Sequence, residues 1–352
     1  MCTLTAEVEK QNEEQRKLQV TGGSTFILSL PKEWAIRNEL KRGSSMVVRE
    51  EDDGSLCVAP SKFVKKEKQD EAFIKASGSD NPDAIMRTAI SAYLMGYNIL
   101  HIRAPNQKVI SSKVRNHLKN FARHYLVGTE IVIDTPTELT LQVLLNYPEL
   151  TVQNALSRMS IIASSMHKEA LAALKKLDYT AAKSVIETDR EVNRFGLYIV
   201  RLLKLAVSNP RVVKEIGLNS QKDCLGYRLI AKAVERTADH ATKIAENTLA
   251  LKEQVPGEFP EKISNLSSLA ISMFENSMDA LFRRDFNLAE TVIEKLSQVH
   301  KLEKETVISM QNVKTEDAVN LRLAIESVRR TAEYASDISE VVLNLNVESV
   351  LG

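Results

Sequence analysis

The chain has 352 residues, which is enough for two or three domains that bury their own cores without disulfide bonds. Hydrophobic residues make up 43% of it and charged residues 26%, a balance that excludes wholesale disorder. Basic and acidic residues number 47 and 46, so net charge gives no argument for a nucleic-acid partner, although a local basic patch stays open. Few glycines and aromatic residues favour a mainly helical protein over a large β-sandwich or propeller.

The expected location of the protein is the cytoplasm. Its cysteines, Cys2, Cys57 and Cys224, are far apart and odd in number, so they predict neither a disulfide framework nor a cysteine-based zinc site. No uncharged apolar run reaches the length of about 18 residues that a transmembrane helix needs. The N-terminus is polar and acidic, unlike a signal peptide, and residues 1–15 are predicted to be disordered.

Residues 16–62 have the pattern of short strands and turns. Apolar and β-branched runs at 17–20, 25–30, 45–49 and 55–59 predict four strands. Pro31 predicts the start of a short helix, because proline suits the first helical position. A unit of this size buries little apolar surface alone, so we expect it to complete its core by dimerisation.

The next segment, residues 70–147, follows a charged linker and predicts a small α+β domain. Its elements follow in the order strand, helix, strand, helix, strand, strand, with Ser111 as the expected cap of the second helix. We find no catalytic constellation in this segment, and the chain is not expected to be an enzyme.

The C-terminal part of the chain is an internal repeat of helices. Six helices are predicted, near residues 151–177, 180–208, 222–253, 261–283, 286–311 and 316–346. Residues 173–187 and 280–294 are identical at 7 of 15 positions, and residues 234–246 and 328–340 at 7 of 13. The region therefore predicts two tandem three-helix units, at 149–253 and 260–347, which form one antiparallel bundle.

Four polar residues of the first unit suit a cation. Asp189 and Asn193 are four residues apart on one helix face, and so are Glu235 and Asp239 on the next predicted helix. If the two helices pack together, their oxygen atoms can converge on a hard or borderline ion such as Mg, Mn or Fe. The alternative is a solvated acidic face on which this spacing arises by chance.

The helical repeat resembles the PhoU family of phosphate-signalling regulators through residues 189–195 and 234–246. The resemblance implies tandem three-helix bundles that bind metal through paired acidic residues, and it puts Asp189, Asn193, Glu235 and Asp239 at the motif positions. The second unit departs from that pattern, since Leu296, His300 and Arg329 replace three of the four residues. An arginine repels a cation, so a second site requires a shifted pair, Glu333 and Asp337.

The N-terminal segment resembles the swapped-hairpin DNA-binding domain of the AbrB/SpoVT family, through residues 16–48 and 53–60. In that family two chains interleave their hairpins and basic residues enter the DNA groove. The resemblance puts this role on Arg16, Lys17, Lys32, Arg37, Lys41 and Arg42. The alternative is that these are ordinary surface charges on a domain used only for dimerisation.

The order of the domains is similar to that of archaeal PhoU-type regulators. Two functions follow as hypotheses. In the first, the protein is a homodimer that binds promoters of phosphate-uptake genes and senses phosphate status through its helical bundle. In the second, it binds no DNA and docks on the cytoplasmic components of a phosphate ABC transporter to lower uptake.

Overall fold

The computed structural model describes residues 14–50, 54–61, 71–76, 80–105, 109–145, 149–255, 257–310 and 313–351. The predicted disorder of residues 1–15 falls almost wholly outside the described residues. The chain separates into two compact units, residues 1–68 and residues 69–352. Most of the helix lies in the second unit, so the predicted class, mainly helical with smaller β-containing parts, is confirmed.

The first unit consists of two antiparallel hairpins and one short helix. Strand β1 (Gln19–Thr21) pairs with β2 (Thr25–Ile27), and β3 (Met46–Glu50) pairs with β4 (Leu56–Pro60). Helix α1 (Lys32–Arg37) lies between the hairpins in sequence. All residues of β1 and β2 are exposed, and Pro60 is the only buried residue in the described part of this unit. The described part of this unit therefore has no hydrophobic core of its own in a single chain.

The second unit begins with a four-stranded mixed sheet and two helices, in the predicted order. The elements are β5 (Glu71–Lys75), α2 (Pro82–Leu94), β6 (Ile99–Arg103), α3 (Ser112–Tyr125), β7 (Thr129–Asp134) and β8 (Glu138–Val143). The strand order is β5-β6-β8-β7, in which only β5 and β6 are parallel. Ser111 caps α3, since its hydroxyl accepts a hydrogen bond from the Val114 amide at 3.3 Å. Buried side chains of α2 and α3 pack on the apolar face of the sheet around Leu100 and Ile102.

Long helices form the rest of the second unit. They are α4 (Val152–Lys176), α5 (Tyr179–Ser208), α6 (Pro210–Glu215), α7 (Asp223–Ala250), α8 (Phe259–Arg283), α9 (Phe286–Glu294), α10 (Leu296–Ile308) and α11 (Thr315–Asn346). One continuous apolar core runs through both repeats, so they share a single interior. Among the described residues, no helix is both long and apolar enough to cross a membrane.

Two details of the bundle differ from the sequence prediction. The six predicted helices leave residues 209–221 unassigned, yet α6 begins there at Pro210. Proline suits the first helical position, and the Asn209 side chain caps the helix by accepting a hydrogen bond from the Arg211 amide. The helix predicted over 286–311 is interrupted at Lys295. The Lys295 amide donates to the Val292 carbonyl, three residues back, and this tighter turn separates α9 from α10.

A buried arginine fastens the small α+β domain to the bundle. The Arg201 side chain of α5 is fully buried, and its guanidinium donates to the carbonyl oxygens of Tyr93, Gly96 (3.1 Å) and Tyr97 (2.9 Å). It also donates to the Asn98 side chain at 2.7 Å and lies over the Tyr93 ring at 4.8 Å. Gly96 has a φ of +94°, and a Cβ there would lie 2.5 Å from Leu205 of α5. Position 96 therefore requires glycine, because both the positive φ and the close contact with α5 disfavour any side chain.

Candidate functional site

The four predicted cation ligands of the first repeat lie on α5 and α7, and we call them the acidic cluster. All four side chains are half-buried at the packed faces of the two helices. Asn193 donates from its amide nitrogen to Asp189 Oδ2 at 2.6 Å. Asp189 Oδ1 is buried and has no hydrogen-bond partner among the described residues. That oxygen is the unsatisfied acceptor that a cation would satisfy.

Like charges surround Asp189. Burial, and then the negative charges of Asp239 and Glu235, raise the pKa of Asp189 to about 6, while the Asn193 hydrogen bond lowers it. Burial and Glu235 also raise the pKa of Asp239. The packing of α5 on α7 therefore brings Asp189 within electrostatic range of Asp239 and Glu235.

The cluster has the donor chemistry of a cation site but not a closed ligand shell. Glu235 is paired with Lys232, whose Nζ lies 2.6 Å from Glu235 Oε1. Gly196 of α5 faces the same carboxylate, since a Cβ there would lie 3.8 Å from Glu235 Oε2. Within the parts of the chain that the structure describes, no three His, Cys, Asp or Glu side chains converge as metal ligands.

The six basic residues predicted to contact DNA are all exposed on the first unit. They are Arg16, Lys17, Lys32, Arg37, Lys41 and Arg42. Apolar side chains are exposed on the same unit: Phe26 is 67% accessible, Ile36 64%, and Leu18 and Val20 are each 60% accessible. Isolated exposed apolar residues are common, but this many on a unit whose described part has no core indicate a surface that another surface covers.

Comparison with known proteins finds family matches for the helical repeat and for the N-terminal unit. Residues 156–248 and 263–342 each match the model of the PhoU domain. The helical part of this chain therefore contains two tandem stretches that match the PhoU domain, which we call the first and second PhoU domain. Residues 19–66 match the model of the MazE bacterial antitoxin, described as an antidote-toxin recognition family, which agrees with the AbrB-like interpretation of this unit.

Several relatives share the PhoU region. The chain is 25% identical over 170 residues to a phosphate-specific transport system accessory protein PhoU homolog of Clostridium acetobutylicum, covering 47% of this chain and 74% of the relative. It is 26% identical over 179 residues to a protein of the same description from Aquifex aeolicus, covering 50% and 78%. The crystal structure of PhoU from Pseudomonas aeruginosa shares the fold of 56% of this chain, over 96% of that chain, with a TM-score of 0.50 and 21% identity.

The second PhoU domain has an ion-pair network where the first has the acidic cluster. Glu333 contacts both Arg329 and Arg330, the latter at 2.9 Å, and Arg329 Nε lies 3.3 Å from Glu303. Burial and the Glu333 charge raise the pKa of Asp337. Because two arginines already neutralise Glu333, the shifted pair Glu333 and Asp337 does not require a cation.

Sequence reasoning missed a buried histidine at the interface of the two PhoU domains. His167 of α4 is fully buried, with Nε2 at 2.8 Å from Ser267 Oγ of α8 and Nδ1 at 3.3 Å from Thr331 Oγ1 of α11. Burial, and then the charge of Lys168, lower the pKa of His167 to about 4. No spacing rule marks this residue, because its partners come from helices about 100 and 164 positions away.

His167 makes the free energy of unfolding depend on pH. Its folded pKa of about 4 lies below the usual 6.5, so the unfolded chain binds more protons between these values. Stability therefore falls as pH falls from about 6.5 to about 4, by up to roughly 3 kcal/mol from this group alone. Urea titrations at pH 7.5 and pH 5 measure this effect. Between these pH values, the unfolding free energy of H167Q should fall by about 2 kcal/mol less than that of the wild type.

The matched control for this pH effect is H124Q, since His124 is exposed on α3 and its Nδ1 contacts the Asn120 carbonyl. His240, whose pKa is also lowered to about 4, is present in all three proteins and cancels in the comparison. Equal pH dependence in H167Q and the wild type would contradict the prediction.

Proposed function

We propose that this chain is a cytoplasmic regulator of phosphate uptake that responds to phosphate status through its PhoU pair and binds DNA through its N-terminal unit as a homodimer. The observation that carries the proposal is the fusion of two PhoU domains to a MazE/AbrB-like unit whose basic residues are exposed. Relatives of the helical region are phosphate-specific transport system accessory proteins by description, which supports phosphate uptake as the regulated process.

DNA binding follows from electrostatics and symmetry. Dimerisation doubles the six exposed basic residues of the unit, and every neutralised phosphate adds affinity through counterion release. Specificity for uptake promoters would come from base contacts made within that positioned complex.

Capture of genomic fragments by the full-length protein over a salt series tests this proposal. Enrichment of a few promoters is expected at low salt, with affinity falling steeply as salt rises. The double variant K17A/K32A removes up to four phosphate contacts per dimer, so the slope of log affinity against log salt should fall by about 3 to 4. The control K175A/K183A removes the same charge from exposed positions of α4 and α5. Equal binding by both double variants would refute a role for this patch.

We further propose that the acidic cluster holds one Mg, Mn or Fe ion in the first PhoU domain. Asp189, Asn193, Glu235 and Asp239 would provide oxygen ligands, and the unpartnered Asp189 Oδ1 supports this. A bound cation supplies positive charge that offsets the repulsion between carboxylates and attracts an anionic ligand. The chain's own contribution is the fixed spacing of the oxygens on two packed helices.

The proposed metal site predicts that the substitution D189N raises stability when metal is absent and abolishes the stabilisation that metal provides. In EDTA, D189N removes a half-buried negative charge that repels Asp239 and Glu235, so it should stabilise the protein by about 1 kcal/mol, or roughly 2–4 °C in Tm. With MnCl₂, the wild type should gain stability and D189N should not. The control is E187Q, which replaces an exposed glutamate on the same helix. An equal gain with Mn²⁺ in all three proteins would place the ion elsewhere.

The second candidate function is an interaction protein without DNA binding. The description of the relatives as transport-system accessory proteins favours it, with the cytoplasmic components of a phosphate ABC transporter as partner. Under this function, K17A/K32A leaves regulation of phosphate uptake in cells unchanged. Under the first function, the same variant abolishes it.

A further inference from the structure

A large cavity lies between the small α+β domain and the first PhoU domain. Its volume is about 850 Å³, which is within the range of small-molecule sites in proteins. Helices α2 and α3 form one wall, and α5 and α7 form the other. All four helices belong to the second unit, and the buried Arg201 holds the two walls together at one end.

One part of the cavity is apolar and aromatic. Met86, Ile90 and Leu94 are spaced by four residues along α2, and Leu197 and Val200 face them from α5. On α3, the rings of Phe121 and Tyr125 stack with their centroids 5.0 Å apart and their planes at 12°. These walls suit a flat apolar group, because stacking on aromatic rings is worth about 1–3 kcal/mol for a nucleobase.

The other part of the cavity is cationic. Arg190 of α5 and Arg228 and Lys232 of α7 line it, together with Asn193 and Glu235. Lys232 offsets Glu235 at 2.6 Å, whereas neither arginine has an ion-pair partner among the described residues. Arg190 donates from Nε to the Glu187 carbonyl, which leaves its charge uncompensated. Two uncompensated guanidinium groups suit phosphate oxygens, which they bind bidentately.

The histidines at the cavity have different surroundings. His117 Nε2 lies 3.0 Å from Asp83, and His124 Nδ1 lies 2.6 Å from the Asn120 carbonyl. Both histidines therefore add polar atoms to the cavity wall, and the carboxylate that contacts one of them, Asp83, is paired with His117.

We propose that this cavity binds a nucleoside diphosphate or a similar organic phosphate. The base would occupy the space by Phe121, Tyr125 and the apolar wall, and the phosphates would contact Arg190 and Arg228. A ligand here contacts the small domain and the first PhoU domain at once, so its binding favours the docked arrangement of the two. The inference goes beyond the regulatory function, because it requires neither DNA nor a transporter.

Calorimetric titration of the full-length protein with ADP and its two halves tests the inference. The buffer contains EDTA, so that no ion in the acidic cluster bridges to phosphate. ADP is expected to bind at least tenfold more tightly than either adenosine or pyrophosphate. Pyrophosphate that binds as tightly as ADP would reduce the site to a cationic surface and overturn the proposal. Octyl phosphate that binds more tightly than ADP would overturn the assignment of a planar base.

Two variants locate the binding. R228E reverses the charge of an exposed residue and should weaken ADP binding at least tenfold, while R211E, an exposed position on α6 outside the cavity, should leave it unchanged. V200W fills the apolar wall without changing charge and should cause a similar loss. Unchanged ADP binding in R228E would overturn the proposal, and this variant decides the matter if V200W does not fold. Promoter capture tests DNA binding, and calorimetry with ADP tests the cavity. A negative result in one experiment therefore does not change the conclusion from the other.

Discussion

Replacing Arg201 with methionine is expected to destabilise the second unit by about 3–5 kcal/mol. The guanidinium is fully buried, and no carboxylate partner for it is found among the described residues. Its charge is stabilised by the carbonyl oxygen of Tyr93 in the last turn of α2, and by the Gly96 and Tyr97 carbonyls and the Asn98 side chain just beyond the helix. The C-terminal end of a helix carries partial negative charge, so this is a favourable place for a cation.

Methionine fills much of the same space but removes the guanidinium donor from the Gly96 and Tyr97 carbonyls and the Asn98 side chain, while the Tyr93 carbonyl keeps its bond from the Gly96 amide. An unsatisfied buried polar group costs about 1–3 kcal/mol, and several are created at once. The cost falls on the contact between α2 and α5, so amides near residues 93–98 should exchange with solvent faster than in the wild type. R201K keeps the charge but loses the planar fork, and an intermediate loss is expected.

Urea denaturation and hydrogen exchange measure both effects. The control is R158M, since Arg158 is exposed on α4 and its loss should change stability by no more than about 0.5 kcal/mol. Equal unfolding midpoints for R201M and R158M, with unchanged exchange near residues 93–98, would show that the guanidinium does not hold the small domain to the bundle.

Replacing Phe26 with aspartate is expected to convert the proposed dimer to a monomer. Phe26 is 67% accessible in a unit whose described part buries only Pro60. Burying one phenylalanine is worth about 1.5–3 kcal/mol, and a symmetric dimer contains two copies. The variant loses at least about 3 kcal/mol of association free energy, which corresponds to a dimer at least about 100-fold weaker.

Sedimentation equilibrium of the full-length protein measures this loss. The wild type should have about twice the chain mass of 39.4 kDa, whereas the mass of F26D should approach that of a single chain. The control is F73D, because Phe73 is 62% accessible but belongs to the second unit, on strand β5. Helical circular dichroism should be the same in all three proteins. A stable F26D dimer would place the association on another surface.

The sequence by itself determined the fold class, the order of the elements and the tandem repeat. These depend on local signals: helical periodicity, proline and glycine at element ends, and two matched segments at a constant order. The helix positions agree to within a few residues except at Lys295, where no local breaker marks the interruption, and at α6, which is too short for periodicity to reveal. The i,i+4 spacing also placed Asp189 and Asn193 on one face, and the pairing of α5 with α7 brought Glu235 and Asp239 beside them.

Only the tertiary structure decided what these residues contact. The burial of Arg201 against the end of α2, the His167 interface and the cavity all join side chains more than 30 positions apart. Such contacts leave no periodic trace, because any exposed or buried face of a helix can receive a distant partner. The same holds for charge: the sequence offered Glu235 and Glu333 as candidate metal ligands, and the fold pairs the first with Lys232 and the second with Arg330. Local patterns determine which face is buried, and the packing of distant elements determines which groups meet there.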